Sequence, residues 1–195
     1  MNTPLILASA SPRRCELLAQ LGVEFEVLPV GIDESCLPGE NSTDCVKRLS
    51  LEKARAVSAK KPAAVVIGAD TLISASGQVF GKPTGREDAL RMLECLSGRS
   101  HEVLTGVAIV GQNREESVVQ SSTVYFGEIS PREAQAYWET EEPIGKAGGY
   151  AIQGIAGQFV KRLEGSYSGV MGLPLHETAL LLKQFGIMIL ESDDA

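Results

Sequence analysis

The stretch Ala64 to Asp70, AVVIGAD, decides the fold class. Apolar and small residues that run without a break up to a carboxylate are typical of a β-strand buried on both faces of its sheet. Such a strand needs helices packed on either side, which favours an α/β protein. The pattern predicts that the strand ends at Ala69 and delivers Asp70 at its carboxyl end, where open α/β sheets bind ligands.

Strands and helices alternate on both sides of this run. Pro4 to Ala8 (PLILA) predicts another buried strand, and the next helix begins at Pro12 and stops before Gly22. The same reasoning predicts helices over residues 41–60, 85–97, 131–139 and 173–185, and strands over 25–30, 101–111, 117–126, 159–163 and 187–190. Because residues 1–195 contain no repeat and no long linker, we interpret them as one domain that ends in a frayed acidic tail at 191–195.

Capping residues mark the predicted helix starts. Ser11 is expected to cap the first helix, Ser42 or Thr43 the second and Thr84 the third. The stretch Ser130 to Glu133 (SPRE) has the serine and the third-position glutamate of a capping box. These caps predict which polar residues lie between the elements.

Composition and charge exclude several classes of protein. The 195 residues are 44% hydrophobic and carry a net charge of −7, so nucleic acid and anionic membrane surfaces are unfavourable partners. No apolar run approaches the roughly 20 residues that span a bilayer. No basic residues precede the apolar start, unlike in a secretory signal, which predicts a cytoplasmic protein.

The cysteines favour a reduced protein. Cys15, Cys36, Cys45 and Cys95 form no CxxC pair and lack the density of a secreted disulfide framework. We therefore expect four reduced thiols.

Several common motifs are missing from the sequence. The stretch Gly77 to Lys82 is one residue too short for a P-loop and continues with Pro83 instead of a hydroxyl residue. No GxGxxG follows a strand and no GxSxG is present, which argues against a dinucleotide fold and a serine hydrolase. With only His101 and His176, a histidine-rich metal site is excluded.

The segment Ser9 to Arg14 (SASPRR) joins the first strand to the first helix and is a candidate anion site. Backbone N–H groups at a helix start attract anions, and Arg13 and Arg14 can clamp phosphate. An ordinary helix start with solvated arginines explains the spacing equally well.

Acidic residues follow two predicted strands, Asp33 and Glu34 after one and Asp70 after the other, and Lys53 and Lys82 are candidates to face them. Carboxylates near an anion site could hold a hard divalent cation that helps to activate water. On pattern alone, a solvated turn is the stronger interpretation of Asp33 and Glu34, whereas Asp70 favours function.

The glycine-rich segment Lys146 to Gly154 (KAGGYAIQG) could let the backbone approach a ligand closely. Gln153 has both a donor and an acceptor, so it can read a base edge. A connector without a ligand is an equal alternative.

Eight motifs occur together in one order. They are LASASPRR, the pair Asp33-Glu34, RLSLEKA around Lys53, GADT at Asp70, GKP at Lys82, LSGRSHEVLTGVAI, KAGGYAIQG and GSYSGVMGLPLHET. Each alone is weak, but together they closely resemble the Maf family of nucleoside triphosphate pyrophosphatases from Leu5 to about Gly186.

The resemblance implies a mixed central sheet flanked by helices, in an elongated two-lobed single domain with a deep cleft, and a homodimer. It also implies that a nucleoside triphosphate is hydrolysed to the monophosphate and pyrophosphate with a divalent cation, Mg²⁺ or Mn²⁺.

The same resemblance implies a role for each matching residue. Asp70 would be the general base, and Glu34 and Lys53 would be further catalytic residues. Lys82 would act both in catalysis and in phosphate binding. Phosphate binding would also involve Ser9, Arg13 and Arg14, and the metal would lie on Glu34 and Asp70.

One subgroup of this family, marked by SPRR, GADT and IQG, is associated with dTTP and UTP. With Arg13, Thr71 and Gln153, the chain resembles that subgroup, which implies that Thr71 and Gln153 contact the substrate. The GKP motif stands where EKP is also expected, which could tune rate or substrate choice. The alternatives are a pyrophosphatase for 7-methyl-GTP or another modified nucleotide, and a non-catalytic nucleotide-binding regulator of septum formation.

Overall fold

The structure is a computed structural model that describes residues 3–111 and 113–190. Its α-helices and strands, in chain order, are β1 (Leu5–Leu7), α1 (Pro12–Ala19), β2 (Glu26–Val27), α2 (Ser42–Ser58), β3 (Val65–Ala75), β4 (Gln78–Phe80), α3 (Arg86–Leu96), β5 (Ser100–Gly111), β6 (Arg114–Phe126), α4 (Pro131–Trp138), β7 (Val160–Glu164), α5 (Tyr167–Met171) and α6 (Leu175–Gln184). Two short 3-10 helices, Ala147–Gly149 and Ile155–Phe159, lie between α4 and β7. In the described ranges, no helix is both long enough and apolar enough to cross a bilayer.

The strands form one mixed sheet in the order β2-β1-β3-β5-β6-β7, and β4 pairs with β3 off this path. β1 is parallel to both β2 and β3, whereas β4 is antiparallel to β3 and β7 is antiparallel to β6. The mixed α/β class that the sequence predicts is therefore confirmed.

The chain forms two compact units. The first consists of Met1–Asp70, Thr105–Gln120 and Gly172–Ala195, and the second of Thr71–Leu104 and Ser121–Met171. Each unit has an apolar cluster of its own. Ile6 and Val57 belong to the cluster of the first unit, and Leu93, Phe126 and Phe159 to that of the second.

In the first unit, α2 packs directly against β3 at a glycine. Val46, Lys53 and Val57 are buried on one face of α2, as their helical spacing predicts. A Cβ atom at Gly68 would lie 2.1 Å from the carbonyl oxygen of Ser50, so a larger residue would push the helix away from the strand. This close contact fixes where Lys53 lies relative to β3.

β3 is longer than its sequence pattern predicts. It continues to Ala75, so Asp70 lies in its middle, and the prediction that the strand ends before Asp70 is wrong. The strand continues because its last residues pair with β4 across a tight turn in which Ser76 and Gly77 have positive φ. The parallel partner β1 pairs only as far as Ile67, so Asp70 does lie beyond the end of that neighbouring strand.

The cap of α2 differs from its prediction by one residue. Asn41 occupies the cap position instead of Ser42 or Thr43, and its side-chain oxygen accepts a hydrogen bond of 2.9 Å from the Asp44 N–H. Asparagine is as favourable as serine at a helix cap, so residue type alone does not show which of these neighbours is the cap.

The cap of α3 also differs. Gly85 occupies the cap position instead of Thr84, because the Asp88 carboxylate accepts the Thr84 N–H at 3.0 Å and thereby holds Thr84 outside the helix. The capping box of α4 is confirmed, with Ser130 and Glu133 each bonding the other's backbone.

Cys36 and Cys45 are joined in a disulfide with their Cα atoms 5.4 Å apart, so the prediction of four reduced thiols is wrong for this pair. The loop before α2 folds back over the first turn of that helix, and this fold brings together two cysteines whose spacing carries no motif. Cys15 and Cys95 are free.

Three further differences concern the shorter elements. β2 covers only Glu26–Val27 of the predicted 25–30, and residues 187–190 are not a strand. The short helix α5 lies in a stretch for which no element was predicted. The predicted tail at 191–195 lies outside the described residues.

Candidate active site

Lys53 is the centre of a buried charge cluster in the first unit. Its ammonium nitrogen Nζ lies 2.6 Å from Asp70 Oδ1 and 2.6 Å from Glu34 Oε1. A buried ammonium is unfavourable unless it is paired, and here two carboxylates pair it. Three residues that are far apart in sequence thus form one cluster.

The two carboxylates differ in their exposure. The side chain of Asp70 is 9% exposed, whereas that of Glu34 is 44% exposed. Asp70 is fixed by β3, and Glu34 lies in the loop before α2. Glu34 is therefore the carboxylate more open to an incoming ligand.

A local turn and a contact with Arg48 order the loop that carries Glu34. In the turn, the Asp33 carboxylate accepts the Ser35 N–H at 2.9 Å, and the hydrogen bonds from Ser35 hold the pKa of Asp33 below its ordinary value. Arg48 Nη2 donates to the Ser35 carbonyl at 2.9 Å. Asp33 therefore belongs to a turn, as the simpler interpretation of its pattern expects, while Glu34 contacts Lys53.

Arg48 is a residue that the sequence reasoning did not single out. Its Nε and Nη2 donate to the two oxygens of Glu40, each at 2.8 Å, and the hydrogen bond from Arg48 lowers the pKa of Glu40 to about 2. Arg48 also pairs with Glu52 one helical turn later. That spacing of four residues was the only signal in the sequence, and it marks ordinary helix surfaces as well.

The candidate anion site lies in the same unit. Ser9 is buried, and its hydroxyl oxygen accepts the Ser11 N–H at 3.2 Å and Arg14 Nη1 at 3.5 Å. Arg14 Nε donates to the Gly172 carbonyl at 2.8 Å. Ser11 is in the cap position of α1, as predicted, but its side chain makes no cap hydrogen bond. These contacts hold the Arg14 guanidinium in one place.

Arg14 is electrostatically coupled to the charge cluster. Burial lowers its pKa, the Asp70 and Glu34 carboxylates raise it, and Arg13 lowers it. Arginine stays protonated in proteins, so the lowered pKa reflects burial of a charged guanidinium and not its neutralisation. Arg14 and Lys53 together balance the two carboxylates, and Arg13, whose pKa burial also lowers, adds a further positive charge.

The donor set suits a hard divalent cation. Glu34 and Asp70 both reach the same nitrogen, so their oxygens lie close together, and Mg²⁺ binds through one or two carboxylates plus substrate phosphates. In the described part of the chain, only Cys36, Glu40 and Cys45 group three potential ligand residues, and the two sulfurs there are bonded to each other. A site on Glu34 and Asp70 would therefore take its remaining ligands from substrate and water.

Three predicted site residues belong to the second unit. Thr71 follows Asp70 on β3 and is half-buried. Lys82 is exposed between β4 and α3, and Gln153 is exposed between α4 and β7. The six others, Ser9, Arg13, Arg14, Glu34, Lys53 and Asp70, all lie in the first unit.

The amino-acid sequence matches one family over most of its length. The family described as Maf-like protein matches residues 4–185, and the chain belongs to it. A relative from Hahella chejuensis, named dTTP/UTP pyrophosphatase, is 51% identical over 188 residues, which cover 95% of this chain and 94% of the relative. A relative from Symbiobacterium thermophilum with the same name is 48% identical over 185 residues, covering 95% of each chain.

A solved structure shows a more distant likeness. The Staphylococcus aureus Ham1 protein is 14% identical with a TM-score of 0.45, covering 80% of this chain and 90% of that chain. A likeness at this distance carries no argument about function.

Proposed function

We propose that this protein is a nucleoside triphosphate pyrophosphatase that hydrolyses dTTP and UTP to the monophosphate and pyrophosphate. The observation that carries the proposal is the buried Lys53 ammonium, which pairs with Asp70 and Glu34 beside the Arg14 guanidinium. The names of the relatives support the reaction and the substrate pair.

In this proposal water attacks the α-phosphorus. Asp70 orients the water and accepts its proton, and Lys53 holds the Asp70 carboxylate in place through their hydrogen bond. Ser9, Arg13, Arg14 and Lys82 bind the phosphates and offset their negative charge. Thr71 and Gln153 contact the substrate, with the Gln153 amide pairing with the carbonyl and N–H edge of thymine or uracil.

The proposed cofactor is a divalent cation, Mg²⁺ or Mn²⁺, which Glu34 and Asp70 would hold. When bound, it would neutralise phosphate charge and lower the pKa of nearby water. We expect turnover to require the added cation and to stop with a chelator such as EDTA. Full turnover after exhaustive EDTA treatment would overturn this part of the proposal.

The remaining properties follow from the family resemblance. We propose a homodimer located in the cytoplasm, with no nucleic-acid partner. The role of a non-catalytic septum regulator is not needed, since the relatives are named as pyrophosphatases.

The test is a panel of separate triphosphates with the divalent cation present. Pyrophosphate and orthophosphate are measured for dTTP, UTP, CTP, GTP and 7-methyl-GTP. We expect dTTP and UTP to give pyrophosphate at the highest kcat/KM, because an amide matched to their base edge leaves polar groups unpaired with the wrong base. A preference for 7-methyl-GTP would support the alternative substrate, and binding without turnover would support the regulator.

A further inference from the structure

The carboxylate of Glu142 is a hydrogen-bonding centre in the second unit. Its Oε1 accepts the Tyr137 hydroxyl at 2.8 Å and the Ala156 N–H at 3.1 Å, and its Oε2 accepts the Ile155 N–H at 2.9 Å. Three donors thus converge on one half-buried carboxylate, and hydrogen bonds to an ionised acceptor are stronger than those between neutral groups. Glu142 therefore has a defined structural task.

Tyr137, a partner of Glu142, also bonds the beginning of the segment 151–156. The hydroxyl of Tyr137, which donates to Glu142, also accepts the Ala151 N–H at 3.3 Å. The Tyr137 side chain is buried and its ring packs edge-on against Phe159. Residues 151–156 are thus bonded at both ends to a Tyr137–Glu142 pair.

Gln153 lies between these two ends and is exposed, whereas its neighbours Ala151 and Ile152 are buried. Gly154 follows, and a Cβ atom there would lie 2.2 Å from Glu142 Oε2. A larger residue there would have to push the Glu142 carboxylate out of its present position. The contact places the Gln153 backbone directly next to the hydrogen-bonding centre.

The Glu142 side chain is a charged carboxylate while it accepts these hydrogen bonds. Burial raises its pKa, but the hydrogen bonds that it accepts and the nearby charge of Lys146 together hold the pKa below its ordinary value. A carboxylate accepts at both oxygens, whereas an amide accepts at only one. The difference between Glu and Gln at this position therefore isolates the hydrogen bonding from the shape of the side chain.

We propose that Glu142 is a positioning residue for base recognition, which fixes residues 151–156 so that the Gln153 amide presents one orientation to the pyrimidine ring. This inference rests on the proposed function, in which Gln153 reads the base. Rigid presentation of a polar group improves binding because less conformational freedom is lost on association. Ser9, Arg13 and Arg14, three of the four proposed phosphate-binding residues, belong to the first unit, whereas this segment belongs to the second.

The test compares Glu142→Gln with wild type in kcat and KM for dTTP and UTP, together with inhibition by inorganic tripolyphosphate. Tripolyphosphate has no base, so it probes the phosphate site alone. We expect the KM for dTTP to rise about tenfold with kcat within about threefold, as for the loss of binding shared by ground state and transition state. The inhibition constant of tripolyphosphate should stay at its wild-type value.

Two further variants make the result specific. Tyr137→Phe keeps the buried ring but removes the hydroxyl, and should raise the KM in the same direction by a smaller factor, about threefold. It also tests the proposal should Glu142→Gln fail to fold. Glu141→Gln changes the adjacent exposed carboxylate and should leave all three constants unchanged.

Each outcome decides the question. A wild-type KM in both Glu142→Gln and Tyr137→Phe would overturn the inference while leaving the proposed function intact. A fall in kcat with weaker tripolyphosphate inhibition would also overturn it, because the effect would then be general. A wild-type protein that hydrolyses no triphosphate would overturn the proposed function and the inference together.

Discussion

At the scale of single residues, Lys53 connects stability with chemistry. Its burial is tolerated because Asp70 and Glu34 pair with it, and the same pairing fixes the carboxylate that we propose as the general base. Arg14 completes the balance of charge. A change at any of these positions should therefore affect both folding and turnover, and the two effects must be measured separately.

Asp70→Asn separates them. The amide keeps the size of the side chain but has no basicity, so we expect kcat to fall by about 10²- to 10⁴-fold. It also leaves the buried Lys53 with Glu34 as its partner, so the free energy of unfolding should drop by about 1–3 kcal/mol. Both quantities are measured on one preparation, with Asp44→Asn at the exposed start of α2 as control. Wild-type kcat in Asp70→Asn would mean that Asp70 is structural only.

We expect His101, in the second unit, to make stability depend on pH. It is buried, its Nε2 lies 2.7 Å from the Tyr150 hydroxyl, and burial lowers its pKa to about 4. In the unfolded chain a histidine titrates near pH 6.5. Below about pH 6.5, the unfolded state binds a proton at this histidine that the folded state does not bind. The free energy of unfolding therefore falls by up to about 1.4 kcal/mol for each pH unit until the pH reaches about 4.

Urea unfolding between pH 6.5 and pH 5 measures how the free energy of unfolding changes with pH. This pH range lies above the range in which most carboxylates titrate. His101→Gln should flatten the dependence. His176→Gln, at an exposed position on α6, should keep the wild-type slope. Equal slopes in wild type and His101→Gln would show that burial of His101 does not set the pH dependence.

At the scale of elements, the loop before α2 is held by one covalent and several polar contacts. The disulfide between Cys36 and Cys45 closes a short loop, and Arg48 bonds Glu40 and the Ser35 carbonyl. Glu34 directly precedes this fastened stretch. The first turns of α2 thus order the loop that supplies one of the two partners of Lys53.

The disulfide should contribute measurably to stability. Closing a loop of this length lowers the conformational entropy of the unfolded chain, which stabilises the folded state by about 2–3 kcal/mol. We expect the free energy of unfolding of the wild-type protein to fall by that amount in a dithiol reductant. The double variant Cys36→Ser/Cys45→Ser should match the reduced protein and should not respond to the reductant. No difference between oxidised and reduced wild type would contradict this expectation.

Elements with strong local signals were predictable from sequence. The buried face of α2 and the capping box at Ser130 follow from periodicity and from side-chain hydrogen bonding within a few residues. The end of β3 was not predictable, because its length depends on pairing with β4 after the turn at Gly77. A local pattern does not contain the partner strand.

The sequence predicted which residues belong to the candidate site, but not all of the contacts that hold them together. Loop and strand positions suggested Asp70 and the Ser9 to Arg14 segment, and they offered Lys53 as a residue that faces the acidic residues, which it does. The Cys36–Cys45 bond and the role of Arg48 were missed. These contacts arise from how the loop folds over α2, so they belong to tertiary structure.

At the scale of the whole molecule, the overall charge differs from the chemistry of the proposed site. The chain carries a net charge of −7, yet the proposed substrate is a polyanion. In the first unit Arg14 and Lys53 interact with Asp70 and Glu34, and Arg13 interacts with Arg14 and Glu16. Cations gathered at one place in an acidic protein can bind phosphate by short contacts, without the diffuse positive field that nucleic acid requires.

Hydrolysis of dTTP in heavy-oxygen water, with the divalent cation present, tests the proposed reaction most directly. Attack on the α-phosphorus places one heavy oxygen in the monophosphate, and mass spectrometry of the separated products locates it. We expect labelled dTMP and unlabelled pyrophosphate, with both products depending on Asp70. Label in the pyrophosphate, or release of orthophosphate with dTDP, would place the attack at a different phosphorus and contradict the proposed reaction.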